Sequence, residues 1–268
     1  MEKTRICEVL RETCYLVRIL RSDDDGRPEH IGWGSAVSVN TRGDLLTAAH
    51  VVTTRLPITD EDVHDPRMVI LAKKKGETFR QYSPLLCGLS IHLDGVLEQP
   101  LTVDLAVLRP IHRLSDVPNL SLCTRPPVLG ESVVMAGYPD DIELPFAFDE
   151  LLPAANRQVQ AQQDSLEVSR KLMMMRSGMI GHISNVTINE FFTGQVFHID
   201  NVLHSGASGG PVVDKDTELL GIVTKRAITR VPYEDTPSLR VPSGAAVAIT
   251  PQILLPKLHE FGVIEQTT

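Results

Sequence analysis

Three short segments of the 268-residue chain carry side chains that could work as a nucleophile, its base and the base's partner. They are Leu46-Thr-Ala-Ala-His50-Val-Val, Thr102-Val-Asp104-Leu-Ala-Val-Leu and Ser205-Gly-Ala-Ser208-Gly-Gly-Pro211. A serine hydroxyl is a weak nucleophile at neutral pH, so Ser208 needs a base at hydrogen-bond distance to take its proton as it attacks a carbonyl carbon. His50 would be that base. A carboxylate at Asp104 would hold the imidazole in the right tautomer and stabilise the charge it acquires. Asp104 sits inside the apolar run 101–108, where a charge needs a buried partner. The glycines around Ser208 suit a tight turn that aims the backbone N–H groups of Gly206 and Ser208 at an oxyanion.

These residues need a rigid frame, and the rest of the chain reads as short strands. Tyr15, Val17 and Ile19 alternate, an Asp-Asp-Asp-Gly turn follows at 23–26, and 32–39 resumes the extended pattern as a hairpin. Further runs recur at 45–52, 67–72, 85–93, 101–109, 131–137, 179–188, 194–200, 210–213, 219–224 and 244–250. Many short strands punctuated by Gly, Pro and Asp predict an all-β barrel or sandwich. The exceptions are an insertion at 140–171, rich in helix formers after Pro153, and a short C-terminal helix at 251–262 that ends at Gly262. The methionines at 173–175 are expected to fill a core gap beneath the insertion, and the acidic stretch 59–65 to be a solvated loop.

Composition narrows the function classes. Lys and Arg number 26 against 34 Asp and Glu, a net charge of −8 that argues against a nucleic-acid partner. No run approaches a membrane-spanning length, and the charged residues at 1–8 interrupt the apolar stretch a signal peptide requires, so a cytoplasmic protein with no membrane partner is expected. Cys7, Cys14, Cys87 and Cys123 have neither CxxC nor zinc-site spacing, which predicts free, mostly buried thiols and no metal or other cofactor.

The order His, Asp, Ser within these motifs resembles the chymotrypsin-like serine proteases. The run His198-Ile-Asp200 ahead of Ser208, Glu218-Leu-Leu-Gly221 after it and Gly244-Ala-Ala-Val-Ala-Ile249 are similar to the HtrA/Deg branch, although no PDZ-like segment follows. The resemblance implies one peptidase domain over 1–268 built of two antiparallel β-barrels, near 15–115 and 128–250, with the active site in the cleft between them. It implies a serine endopeptidase acting on protein or peptide substrates, the alternative being a silent peptide-binding module on the same fold. Ala207, where trypsin-type relatives carry an Asp, implies that activation by a new N-terminus does not operate. Val202 falls at the floor of the implied specificity pocket, and Thr224, Lys225 and Arg226 lie on the strand that would pair with bound peptide, with Thr224 expected to support Asp104. An uncharged floor implies cleavage after small aliphatic residues, or after acidic ones if Arg226 points inward. The insertion at 140–171 is expected to dock a regulatory protein or cover the cleft. An oligomer is compatible with the resemblance, although the charged segment 5–14 lacks aromatics.

Overall fold

Successive residues of a strand face opposite ways, and the strand sequences divide their apolar residues on that period. The computed structural model describes residues 2–53, 65–91, 101–139, 171–189, 192–201, 206–233 and 236–265. Tyr15, Val17 and Ile19 enter one core, while Leu16 between them enters another. The same division separates Ala106 and Leu108 from Leu105 and Val107, and Val133 and Met135 from Val134 and Ala136. Sheets apolar on both faces need cover on both. Closure into a barrel fills the inner face, and packing one barrel on the other buries the outer one.

The first closed barrel has the order β1-β2-β3-β6-β5-β4, all antiparallel: β1 Cys14–Ser22, β2 Pro28–Ser38, β3 Leu45–Thr47, β4 Met68–Lys73, β5 Arg80–Ile91 and β6 Leu101–Pro110. The second has the order β10-β11-β12-β9-β8-β7: β7 Ser132–Gly137, β8 Met174–Asn189, β9 Phe192–Ile199, β10 Pro211–Val213, β11 Leu219–Tyr233 and β12 Thr236–Ile249. The chain is therefore all-β in two six-stranded barrels. Between them lies a shared apolar layer that also receives Ile6 and Leu10 from helix α1 (Glu2–Thr13), four residues apart on one face, and Leu254 and Leu258 from the C-terminal end.

Several elements differ from the sequence expectation: residues 49–53, read in part as strand, form a helical turn, and β5 begins at Arg80, five residues early. β11 and β12 run well beyond 219–224 and 244–250, as a long hairpin hidden by Pro232, Pro237 and Pro242. The ladder tolerates them because its register slips three times, between Val223 and Lys225, Arg226 and Ile228, and Val231 and Tyr233. β8 begins at Met174, five residues early. Met174 packs against the core of the second barrel and Met173 and Met175 against the shared layer, all three partly buried; the insertion expected above them lies outside the described residues up to 170. The C-terminal helix is broken in two, a 3-10 turn Pro251–Leu254 and α3 (Leu255–Glu260), because Pro256 has no N–H to continue the ladder yet fits the first turn of α3. Gly262 ends it at φ +61°, and the Val263 N–H reaches back to Leu258 O at 2.7 Å. The predicted helix within 140–171 lies outside the described residues up to 170, as does most of the 59–65 loop.

A buried carboxylate ties this end to the first barrel. Asp44, fully buried, takes two hydrogen bonds of 2.9 Å from Arg109 and one of 2.8 Å from Asn40. The same donors, with Arg42, reach the carbonyls of Phe261, Gly262 and Val263. Burial alone would raise the Asp44 pKa, but the bonds from Arg109 and Asn40 outweigh it and hold the carboxyl below its ordinary value. A carboxyl whose pKa drops on folding adds stability above its unfolded value, near 4, and that stability is lost as pH falls through the folded value. Asp44→Ala, which removes the acceptor shared by Arg109 and Asn40, should therefore unfold about 2 kcal/mol more easily at pH 7. Urea unfolding at pH 7 and pH 3 should show the deficit shrinking at the lower pH. An equal deficit at both would contradict this account.

Candidate active site

His50 is carried by α2 (Ala49–Thr53), a single turn starting two residues after β3. Ala49, Val51, Val52 and Thr53 are all buried, so the turn is anchored on every side except that of the imidazole, whose side chain remains 28% exposed. Gly34 allows the close approach, since a Cβ there would lie 2.3 Å from Val51 Cγ1. Asp104 lies on β6 where the ladder with β5 is irregular. Between the pairs Cys87–Ala106 and Leu89–Val103, β5 contributes one residue, Gly88 at φ +73°, and β6 contributes two, Asp104 and Leu105. Such a bulge re-aims a side chain out of the strand's regular alternation.

The carboxylate grips His50 twice. Its Oδ1 accepts the His50 backbone N–H at 3.0 Å and its Oδ2 lies 2.8 Å from Nδ1. With the proton on Nδ1 donated to Asp104, Nε2 is the ring nitrogen available as a base. Thr224, expected to support Asp104, does not do so among the described residues. Its hydroxyl donates to Val247 O at 3.4 Å and the side chain is buried, because Thr224 is the residue left out of register between Val223 and Lys225.

Ser208 is followed by two glycines at which a Cβ would clash with the backbone. Gly209, at φ +84°, would place it 2.0 Å from Ser35 O, and Gly210 would place it 2.0 Å from Ala136 O. The turn is pinned to β11 by Gly209 N–H to Val223 O at 2.7 Å, and closed by Gly210 N–H to Ala207 O at 3.0 Å. The N–H groups of Gly206 and Ser208 have no acceptor among the described residues, whereas those of Gly209 and Gly210 do. Ser208 Oγ makes a long bond of 3.4 Å to Thr224 O and none to His50 among the described residues. In ligand-free sites the nucleophile–base bond is commonly loose and tightens with substrate.

Beyond the turn, β10 pairs with β11 only as far as Ile222, so β11 from Thr224 onward has a side not covered by β10. Lys225 is exposed there; Arg226 is in the ladder opposite Ala246. Val202 lies outside the described residues. Asp200 is bound to the neck of β8, its Oδ1 accepting the Met179 N–H at 2.6 Å. The structure thus brings His50 and Asp104 into contact and places Ser208 against Thr224 on the neighbouring barrel. Ser35, missed in the sequence because a serine in Gly-Ser-Ala-Val reads as ordinary strand, contacts the same turn through its N–H, 2.8 Å from Ser208 O.

Among the described residues one group of side chains has metal-ligating types, Cys123, Asp214 and Glu218, with one ligand atom of each within 4.8 Å of the others. Asp214 is already neutralised by Arg125 at 2.7 Å and accepts the N–H groups of Asp216 and Glu218, which makes it the anchor of a turn. Cys14, Cys87 and Cys123 are buried free thiols and Cys7 is partly exposed. No described helix is long and apolar enough to cross a membrane.

The family model of the trypsin-like peptidase domain matches residues 34–222, a span that includes His50, Asp104 and Ser208. The chain belongs to the trypsin-like peptidase family. Among solved structures, this peptidase domain is similar to the Rv3671c protease from M. tuberculosis in its active form, with a TM-score of 0.56 and 16% identity over 100% of this chain and 88% of that one. The inactive form of the Rv3671c protease gives 0.53 and 16% over 97% and 94%. At this identity the likeness concerns the double-barrel fold of the trypsin-like domain. No curated protein matches the chain in sequence.

Proposed function

We propose that this peptidase is a serine endopeptidase of the HtrA/Deg-like branch, acting through His50, Asp104 and Ser208. The observation that carries the reading is the double grip of Asp104 on His50, which leaves Nε2 as the free base of a ring held on a buried turn. In the proposed reaction Ser208 Oγ attacks the scissile carbonyl while Nε2 takes its proton, and the N–H groups of Gly206 and Ser208 receive the oxyanion. His50 then protonates the leaving amine as the C–N bond breaks. Water, deprotonated in turn by His50, releases the acyl group from Ser208. No metal or cofactor enters these steps. A fluorophosphonate probe tests the reading, because only an activated serine reacts. Labelling of Ser208 in the wild type and its absence in His50→Ala support an enzyme; an unlabelled wild type would make the chain a silent peptide-binding module.

Specificity is proposed from sequence position. Val202 puts no charge at the pocket floor, and Thr224, Lys225 and Arg226 lie on the strand that would bind peptide, so cleavage is expected after small aliphatic residues. A digest of a peptide library, read by mass spectrometry, should show little cleavage after Lys or Arg; a preference for either would overturn the pocket assignment. In Arg226→Ala, a gain of apolar sites at the expense of acidic ones would place the guanidinium in the pocket. A cytoplasmic setting, protein substrates and docking of a regulatory protein at 140–171 complete the proposal.

A further inference from the structure

Ser35 is fully buried in β2, and four hydrogen bonds converge on it. Its backbone N–H donates to Ser208 O at 2.8 Å. Its Oγ donates to Gly206 O at 3.0 Å and accepts the Tyr138 N–H at 2.8 Å. Its carbonyl accepts from Thr47 Oγ1 at 2.6 Å. A hydroxyl has a single proton to donate. Because an N–H already points at Oγ from Tyr138, that proton goes to Gly206 O, and the direction of the bond is fixed.

The two carbonyls held in this way bracket the nucleophile. Gly206 O belongs to the peptide before Ala207 and Ser208 O to the peptide after Ser208. The peptide between them carries the Ser208 N–H, one of the two proposed oxyanion donors. Ser35 belongs to the barrel that carries His50 and Asp104, whereas the turn belongs to the other barrel. Thr47, which holds the Ser35 carbonyl, is three residues before His50 on the same length of chain. A continuous line of bonds therefore runs from the Ser208 turn through Ser35 to the strand that delivers the base. Its tightness is visible at the glycines: a Cβ on Gly209 would meet Ser35 O at 2.0 Å, and one on Gly137 would lie 3.0 Å from Ser35 Oγ and 2.9 Å from the Ala207 Cα.

We propose that Ser35 is a positioning residue that sets the nucleophile turn in register with His50 across the seam between the barrels. This builds on the proposed serine-peptidase reading. Ser35→Ala removes one oxygen from a buried site and leaves Gly206 O and the Tyr138 N–H without their partner. It should lower kcat per titrated active site about 10- to 100-fold with KM little changed. A purely structural loss would instead lower the fraction of titratable sites and leave the rate of each unchanged. Independently of catalysis, amide hydrogen exchange at Gly209 and Gly210 should quicken at least about tenfold while β1 and the paired part of β11 keep their protection. If Ser35→Ala fails to fold, Ser35→Cys, which keeps a weaker donor on a somewhat larger side chain, should give an intermediate loss on both measurements. Per-site kcat and exchange at 209–210 both at wild-type level would overturn the proposal. A wild type that no fluorophosphonate labels would remove the peptidase reading alone. The exchange measurement would then decide Ser35 by itself, quickened exchange supporting the clamp and unchanged exchange overturning it.

Discussion

Ser208→Ala is expected to abolish hydrolysis of every substrate, by about 10⁶-fold in kcat, while the protein folds as before. The loss is that large because the acyl-enzyme route needs an oxygen that alanine lacks. What survives is the weak catalysis provided by substrate binding and the oxyanion donors. The fold should be indifferent for a reason visible in the turn. Among the described residues Ser208 Oγ makes only the 3.4 Å bond to Thr224 O, whereas the turn is held through backbone groups, Gly209 N–H to Val223 O and Ser208 O to the Ser35 N–H. These bonds do not depend on the side chain. Peptide digestion and thermal unfolding, measured on the same preparation, check both halves. Turnover retained in a pure sample would end the proposal that Ser208 is the nucleophile. His50→Ala should be comparably severe, since the serine then has no base.

Asp104→Asn should lower kcat by about 10⁴-fold, the size expected when the imidazole of such a triad is held in the wrong tautomer. The carboxylate accepts from two His50 groups at once, the backbone N–H and Nδ1–H. An amide offers one acceptor oxygen. If that oxygen stays with the backbone N–H, the NH₂ faces Nδ1 and requires it to accept, which moves the ring proton to Nε2. The nitrogen that should receive the Ser208 proton is then already protonated. Rate against pH checks the prediction: kcat should fall steeply with little change in KM, and stability should change far less than activity. A variant within about tenfold of wild type would show that the grip on His50 is structural only.

The sequence by itself determined which side chains could form the site and what frame they needed. His50, Asp104 and Ser208 stood out as candidates because each stands in a local context that a soluble strand or turn rarely supplies: a histidine closing Thr-Ala-Ala-His, an aspartate in an apolar strand, and a serine among glycines. The all-β class was legible because a period of two survives in isolated segments such as Tyr15 to Ile19 and residues 101–108, whereas the choice of two barrels over a sandwich came from the resemblance. Three things were settled only by tertiary structure, each for want of a local signal. The long β11–β12 hairpin was hidden by prolines, which oppose a strand unless the ladder slips beside them, and slips depend on a partner elsewhere in the chain. The hydroxyl of Thr224 went to Val247 O and not to Asp104 because one irregular step in that ladder turned it, a choice not written in its neighbours. Ser35 looked like any small residue of a buried strand. One of its four bonds stays within its own barrel, to Thr47, but the other three join it to groups at 138, 206 and 208, and only the packing of one barrel against the other brings residues so distant in sequence within hydrogen-bond reach.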